Sequence, residues 1–576
     1  MSQIHEFGGS LPAIPDDVTV AQFMFDCHHP LRQELDKPGA WLIEDATGRE
    51  LVREEIRART DALANSLSAR WQIRDDDVVC IFSPNHVDYP SAIWAIHRLG
   101  AIVTTANPSY TVDELVYQLK ITRATLLIVH PWVYPIARAA ALDVGITLDR
   151  IILIESGTHD AEAKHPNVQE LIEEGAGRPK SFVECKLKPG EAKTKLAFLS
   201  MSSGTTGLPK ANETAVMATH YALVANVIQT AAFFSSDARP LTQQPVRPGF
   251  VTLAVLPFFH AYGLVYIMHS LIFYGLTLVV VPKFDFTGML RSIEQYRINY
   301  ICAVPPMVAL LCKHPDVEKY DLSSVNTVAS GAAPLTAELT NRLTARLPHV
   351  LVGQGYGITE AFVLVSMSRT DDSETPGASG MLAPGIVARV LKEDGSLAQR
   401  GEPGQLIISS PALALGYLGN AQADGWLYTG DEVIINEKAE VIIIDRIKEL
   451  LKVKGFQVAP AELEGFLLDH PDVADACVVS IQDEYNGDLP LAYVVPSASA
   501  QARIEKDSAE AGRIKMTLIK YVAEGKAHYK QLTAGVELVD VIPKNPSGKL
   551  LRRVLRDRAR EAAKQGKLSL IPKPRL

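Results

Sequence analysis

Cysteine is scarce in this sequence. Six residues (Cys27, Cys80, Cys185, Cys302, Cys312 and Cys477) are scattered along 576, with no C-x-x-C pair and no clustered histidines. That scatter argues against a disulfide framework and a structural zinc site, and it suits a reducing compartment. Long apolar runs are missing too. The longest, LIFYGLTLVVVP from Leu271 to Pro282, is too short to span a bilayer and carries a glycine, so a buried strand is expected there. The opening MSQIHEFGGSLPAIPDD lacks the basic-then-apolar pattern of a signal peptide. Basic charge is not in excess: 57 Lys and Arg against 66 Asp and Glu leave −9, which points away from nucleic acid or an anionic membrane as main partner. Only the stretch from Lys544, KNPSGKLLRRVLRDRAREAAKQGK, is locally basic, as a solvated helix face or a phosphate-facing one would be. Repeats and low-complexity blocks are absent.

What is present has the composition of a globular enzyme, 47% hydrophobic and 21% charged, in a chain long enough for at least two domains. Short β-branched runs such as DVVCIFS (77–83), ATLLIVH (124–130), RIILIES (150–156) and GFVTLAVLP (249–257) alternate with helix-like stretches such as YPSAIWAIHRLG and TVDELVYQLKIT. This alternation predicts α/β layers with largely parallel, buried strands. After about Gly380 the texture changes to short strands joined by Asp-Gly, Pro-Gly and Asn-Glu turns, which predicts antiparallel hairpins. In APAELEGFLL, Pro460 suits a first helical turn. A domain boundary is expected at Asp445–Arg446. It would divide a large domain over 1–445, with layered sheets and a β-rich subdomain, from a smaller α+β domain over 446–576.

A Walker A loop requires G-x-x-x-x-G-K-[ST], and no segment fits it. SSGTTGLPK (202–210) has the same ingredients in another order. Gly204 and Gly207 let backbone amides approach an anion; Ser202, Ser203, Thr205 and Thr206 offer hydroxyls; Lys210 offers a charge for outer phosphates. The loop follows KLAFLSM, read as a strand, and α/β proteins place ligands at strand ends. Taken alone, such a loop is more often a plain surface turn.

Seven segments occur in the order SSGTTGLPK, LPFFHAYG, SGAAPL, GQGYGITE, GWLYTGD, DRIKELLKVKGFQVAPAELE and PKNPSGKLLRR, preceded by RLGAIVTTANPSYTVDEL. As an ordered set they resemble the adenylate-forming superfamily, nearest to the 4-coumarate–CoA ligases and beetle luciferases. The resemblance implies an ATP-dependent acid–thiol ligase that makes acyl-CoA through an acyl-adenylate with Mg²⁺, its C-terminal domain mobile about 445–446. Neither half-reaction requires a covalent enzyme nucleophile, so catalysis would rest on positioning and charge stabilisation.

The resemblance implies roles residue by residue. Tyr356 would wall the adenine, with Ala332, Gln354 and Gly355 nearby, and Thr359 would touch phosphate. Glu360 would hold magnesium, a hard carboxylate for a hard cation. Asp431 and Arg446 would clamp the ribose, with Lys448 also on the nucleotide. Lys549 would contact carboxylate and α-phosphate, joined in catalysis by Lys210, His260, Thr359 and Glu360. The acyl pocket would comprise His260, Tyr262, Gly331, Ala332, Gly355, Gly357, Phe362, Val363 and Leu364. Lys283, Lys452, Lys454, Gly455 and Gln457 would serve coenzyme A in the second half. Without the resemblance, His260 would be a satisfied core histidine and Asp431 an ordinary turn residue.

Two departures stand out. After Lys210 the usual continuation Gly-Val-Met-Leu-Thr-His is replaced by ANETAVMATH, about four residues longer (211–214), and such insertions at turns are thermodynamically cheap. After Glu360, where hydroxycinnamate ligases carry Gly-Pro, Phe362 and Val363 stand instead. That disfavours coumarate itself and leaves aryl, arylalkanoic and medium-chain fatty acids open. The rival readings are adenylation without coenzyme A and a non-catalytic nucleotide-binding relative. The C-terminal Pro-Arg-Leu resembles a peroxisomal signal of the Ser-Lys-Leu kind with proline in place of the small residue, so the expected location is cytoplasmic or peroxisomal.

Overall fold

The computed structural model describes residues 5–6, 11–32, 39–157, 165–201, 215–370, 375–421, 425–453, 456–483, 487–545 and 548–565. The phosphate-type loop 202–210, the insertion 211–214, Lys454 and Gly455 lie outside the described residues.

Two large sheets form the N-terminal body. One is built around Val78–Phe82, which pairs in parallel with Ile102–Ala106 and Leu126–Val129. All five residues of Val78–Phe82 are buried, without alternation, because helices cover both faces. The helix Val112–Thr122 opens with a capping box, in which the Thr111 hydroxyl accepts from the Glu114 amide and the Glu114 carboxylate accepts from the Thr111 amide.

The second sheet has nine strands. Its middle contains β1 (Tyr300–Ala303), β2 (Thr327–Ser330) and β3 (Leu351–Ile358), which are parallel, and then β4 (Val363–Met367), antiparallel to β3. Across this sheet lies a π-helical stretch, Tyr262–Leu271. The run Leu271–Pro282 is therefore a strand only in its second half, Thr277–Val280. Its first half closes the helix, and Gly275 at φ +93° makes the turn between them.

The hairpin region forms a third, antiparallel sheet containing β5 (Leu427–Ile435) and β6 (Val441–Arg446), as the turn-rich sequence predicted. The smaller C-terminal unit has its own sheet, centred on the long hairpin Val473–Asp483 and Gly487–Pro496, with its own core around Leu463, Val478 and Val494. Helix α1 (Pro460–Leu468) begins at Pro460, and the basic tail becomes helix α2 (Arg552–Lys564). The architecture is thus α/β, a large N-terminal part with a smaller α+β part after it. Among the described residues no helix is long and apolar enough to cross a membrane.

Candidate active site

The ends of β2 and β3 open the site. β2 runs into Gly331 and Ala332, and Ala332 is exposed at φ +67°. A left-handed non-glycine residue costs ~1–2 kcal/mol, strain that the neighbouring strands must hold. On β3, a Cβ at Gly357 would lie 2.0 Å from the Val363 carbonyl oxygen, so only glycine lets β4 return this closely. The turn Thr359–Ala361 joins the two strands, and it is left through Phe362 at φ +51° and Val363 at φ +109°. The Phe362 ring is fully buried, 6.0 Å from the Phe198 ring between centroids.

Asp431 on β5 and Arg446 on β6 stand directly opposite each other. Arg446 Nε lies 3.5 Å from one Asp431 oxygen, and the Tyr356 hydroxyl donates to the other at 2.5 Å. Burial raises the Asp431 pKa against the pull of Arg446, that hydroxyl and Lys549; burial also drives the Tyr356 phenol well above its usual value.

Lys549 reaches this cluster from the C-terminal unit. Its loop is closed by the Asn545 side chain, which accepts from the Lys549 amide at 2.8 Å, and by the Asn545 amide, which donates to the Lys549 carbonyl at 2.9 Å. Gly548, at φ +82°, packs where a Cβ would sit 3.0 Å from Val304 Cγ2, at the end of β1. Burial first, and Arg446 second, lower the Lys549 pKa to about 8. His260 is lowered to about 4 by burial and then by Lys549, so the imidazole is neutral near pH 7. Its Nδ1 accepts from the Tyr262 amide at 3.3 Å, and the Tyr262 ring covers Gly331, whose absent Cβ would lie 2.9 Å from it.

Glu360 is held from another side. Its Oε1 accepts from the Tyr417 hydroxyl at 2.5 Å, and its carbonyl accepts from the Ala414 amide at 2.9 Å. Tyr417 pairs with Val216, the first residue of strand Val216–Thr219. Strands Leu196–Ser200 and Val216–Thr219 are antiparallel with Ser200 opposite Val216, so the strand ends that flank 202–214 lie at the edge where Tyr417 holds Glu360.

The structure therefore gathers Tyr356, Asp431, Arg446, Lys549 and His260, with Tyr262, Gly331 and Gly355 beside them. Gln354 instead turns its amide to Leu335, accepting from that residue's N–H at 3.0 Å. Lys283, Lys448, Lys452 and Gln457 are exposed, the last two paired across one hairpin of the C-terminal unit. Sequence reading missed Tyr417 and Val304, which act through residues distant in sequence, and Asn545, which acts on Lys549 four residues on. It also missed Arg552, which is bound to Glu449 and Glu464, the latter at 2.7 Å, and lies 3.9 Å from Asp445. Asp445 in turn accepts from the Ala461 amide at 3.1 Å, at the start of α1. That places the expected hinge residue on the first turn of the C-terminal unit.

Known proteins resemble the chain over most of its length. The family described as AMP-binding enzyme matches residues 32–418, and its C-terminal domain matches 462–549. The chain is 35% identical over 570 residues to acyl-CoA ligase AFT1-1 of Alternaria alternata, covering 94% of this chain and 95% of that one. It is 34% identical over 572 residues to 4-coumarate-CoA ligase 1 of Narcissus pseudonarcissus, covering 96% of each. Among solved structures, ATP-bound MatB from Rhodopseudomonas palustris superposes with a TM-score of 0.76 at 25% identity, over 94% of this chain and 98% of that one. Both family patterns fall on the two units described above, and the chain belongs to the AMP-binding enzyme family.

Proposed function

We propose that this protein is an AMP-forming acid–thiol ligase, which converts a carboxylic acid to its acyl-CoA through an acyl-adenylate. One observation carries the reading: a lysine from the C-terminal unit lies in the same small volume as Asp431, Arg446, Tyr356 and His260. In the first half-reaction the carboxylate attacks the α-phosphorus of ATP and pyrophosphate leaves. Two anions must approach each other, and Lys549 supplies the positive charge between them. Asp431 and Arg446 fix the nucleotide through its ribose, and Tyr356 walls its base.

Neutral His260 borders the acyl side without adding a charge. Glu360 is the residue suited to Mg²⁺, which would neutralise phosphate charge when bound. Among the described residues no group of three or more His, Cys, Asp or Glu could hold a metal, which suits an ion held by one carboxylate and the phosphates. In the second half-reaction the thiol attacks the acyl carbonyl and AMP leaves. Exposed Lys452 and Gln457 would serve that step after rotation about 445–446, and Lys549 beside Asp431 and Arg446 supports reading the present arrangement as the adenylation one.

The test is pyrophosphate release across aryl, phenylalkanoic and fatty acids, with and without coenzyme A. Lys549→Ala is expected to cut adenylation by ~10²–10³ while sparing thioester formation from supplied acyl-AMP. Equal loss of both halves would contradict the assignment. Release that ignores coenzyme A would point to a different acceptor.

A further inference from the structure

A cavity of about 320 Å³ lies beside the site, roughly ten times the share of volume of a water in the liquid. It is lined by Phe233, Phe234, Val246, Tyr300, Ala329 and Met367, among others. Its position relative to the acyl side follows from sheet register. Ala329 pairs with Cys302 and Gly353, and Thr327 pairs with Tyr300. Residues two apart on a strand share a face. The face that carries Gly331 and Gly355 at the site therefore carries Ala329, Gly353 and Thr327 one and two rows deeper. Gly355 also pairs with Met367, which is itself part of the cavity wall. From Gly331 to Thr327 the run is ~13 Å at ~3.3 Å per residue. Its floor is made of small side chains.

Two side chains, Tyr262 and Tyr266, lie across that run. The Tyr262 ring covers Gly331 and its hydroxyl donates to the Ala329 carbonyl at 3.2 Å. Behind it the Tyr266 and Tyr300 hydroxyls bond each other at 2.6 Å. Several polar groups of the cavity wall are already engaged. The Thr327 hydroxyl donates to the Pro245 carbonyl at 2.9 Å, and the Ser236 hydroxyl donates to the Phe233 carbonyl at 2.7 Å. Arg239 at the rim is paired with Asp237 at 2.6 Å and donates to the Arg369 carbonyl at 2.9 Å. These engaged groups offer a charged or hydroxylated tail little, and the aromatic and aliphatic remainder of the wall favours an apolar one.

Resting on the ligase reading above, we propose that the acyl site continues past Tyr262 into this cavity, and that the acid activated is a fatty acid with an extended, unbranched apolar tail. Tyr262 and Tyr266 form the gate: the Tyr262 ring must turn off Gly331, giving up the bond to Ala329, and the Tyr266 hydroxyl must part from Tyr300 and Met367, for the tail to pass. Each methylene buried is then expected to raise kcat/KM roughly three- to fourfold until the cavity is full.

The experiment has two arms, run on the full chain and on two variants that fill the cavity, Val246→Trp and Ala329→Phe, either of which suffices if the other fails to fold. The first arm measures pyrophosphate release with butanoic, hexanoic, octanoic, decanoic, dodecanoic and cinnamic acids. The expected result is a climb with length up to decanoic acid or beyond, with the decanoic-to-butanoic ratio of kcat/KM falling at least tenfold in a variant. A preference for cinnamic acid with no climb would overturn the proposal. The second arm measures decanoic acid binding by calorimetry with α,β-methylene-ATP present, and needs no turnover. Binding weakened at least tenfold by Val246→Trp or Ala329→Phe supports the tunnel; equal binding, or none to the unaltered protein, overturns it. If no acid gives pyrophosphate, the ligase reading falls while the binding arm still decides this one.

Discussion

At the scale of single residues, the site depends on glycines that the motifs contain for different reasons. Gly357 lets β4 pass its carbonyl within a distance no side chain permits, whereas Gly548 combines a left-handed backbone with contact to Val304. Gly548→Ala is therefore expected to shift the Lys549 loop and lower ATP–pyrophosphate exchange at least tenfold. Thioester formation from supplied acyl-AMP should be little changed, since that half does not need Lys549; an unchanged exchange rate would show that the loop tolerates a methyl group. Most of these residues were legible because they sit in short motifs: Tyr356 and Glu360 in GQGYGITE, Asp431 in YTGD, Lys549 in PSGKL. Tyr417 was not legible, because a hydroxyl that holds a carboxylate 57 residues away leaves no local pattern. The replacement of Gly-Pro by Phe362–Val363 was visible, but not its outcome, in which the Phe362 ring enters the core against Phe198.

At the scale of elements, alternating composition predicted the parallel strands well, because a strand buried on both faces must be apolar throughout. It misread the first half of Leu271–Pro282, which is apolar for a different reason: it closes a helix covered on every side. That helix is unusual in its bonding. The Ser270 hydroxyl and the His269 ring both donate to carbonyls five residues back, at 3.1 and 2.7 Å. His269 Nε2 also accepts from Trp94 Nε1 at 3.1 Å, which a protonated ring could not do. On neighbouring helices, buried His220 Nδ1 accepts from the Val20 amide at 3.0 Å, and His97 packs edge-on against it.

Burial lowers His97 to about 3 and His269 to about 4, and takes His220 well below its usual value. The folded state thus binds fewer protons than the unfolded chain. Stability is full above pH 6.5 and falls as pH drops from there toward 4, by up to ~1.4 kcal/mol per pH unit for each histidine. Denaturant melts at pH 7, 6 and 5 should show this fall, which His269→Gln should make shallower; a midpoint constant over that range would refute it.

At the scale of the whole molecule, two cations of the larger unit tie the C-terminal unit to it. Lys313 donates to the carbonyls of Leu468 and Val473 at 3.1 and 3.0 Å, and Arg342 donates to that of Asp469 at 2.7 Å. The domain boundary was legible as a change of texture, but these contacts were not, since they join charged residues of ordinary surface sequence to backbone carbonyls. Removing both cations in Lys313→Met/Arg342→Met should slow adenylation several-fold and leave the thioester half equal or faster. Loss of both halves would mean that the contacts serve folding instead. The closed arrangement has a further consequence, which concerns hydrogen ions. Lys549 sits beside Arg446 with its pKa lowered to about 8, so above that pH the empty site holds an uncharged amine. A bound triphosphate favours the ammonium, and the protein must then draw a proton from solution as it takes up the nucleotide. Heats of ATP binding at pH 8.5 should therefore differ between buffers of unlike ionisation enthalpy, and Lys549→Met should abolish the difference. By reciprocity the same linkage weakens ATP as pH rises, which makes nucleotide affinity a report on the alkalinity of the protein's surroundings.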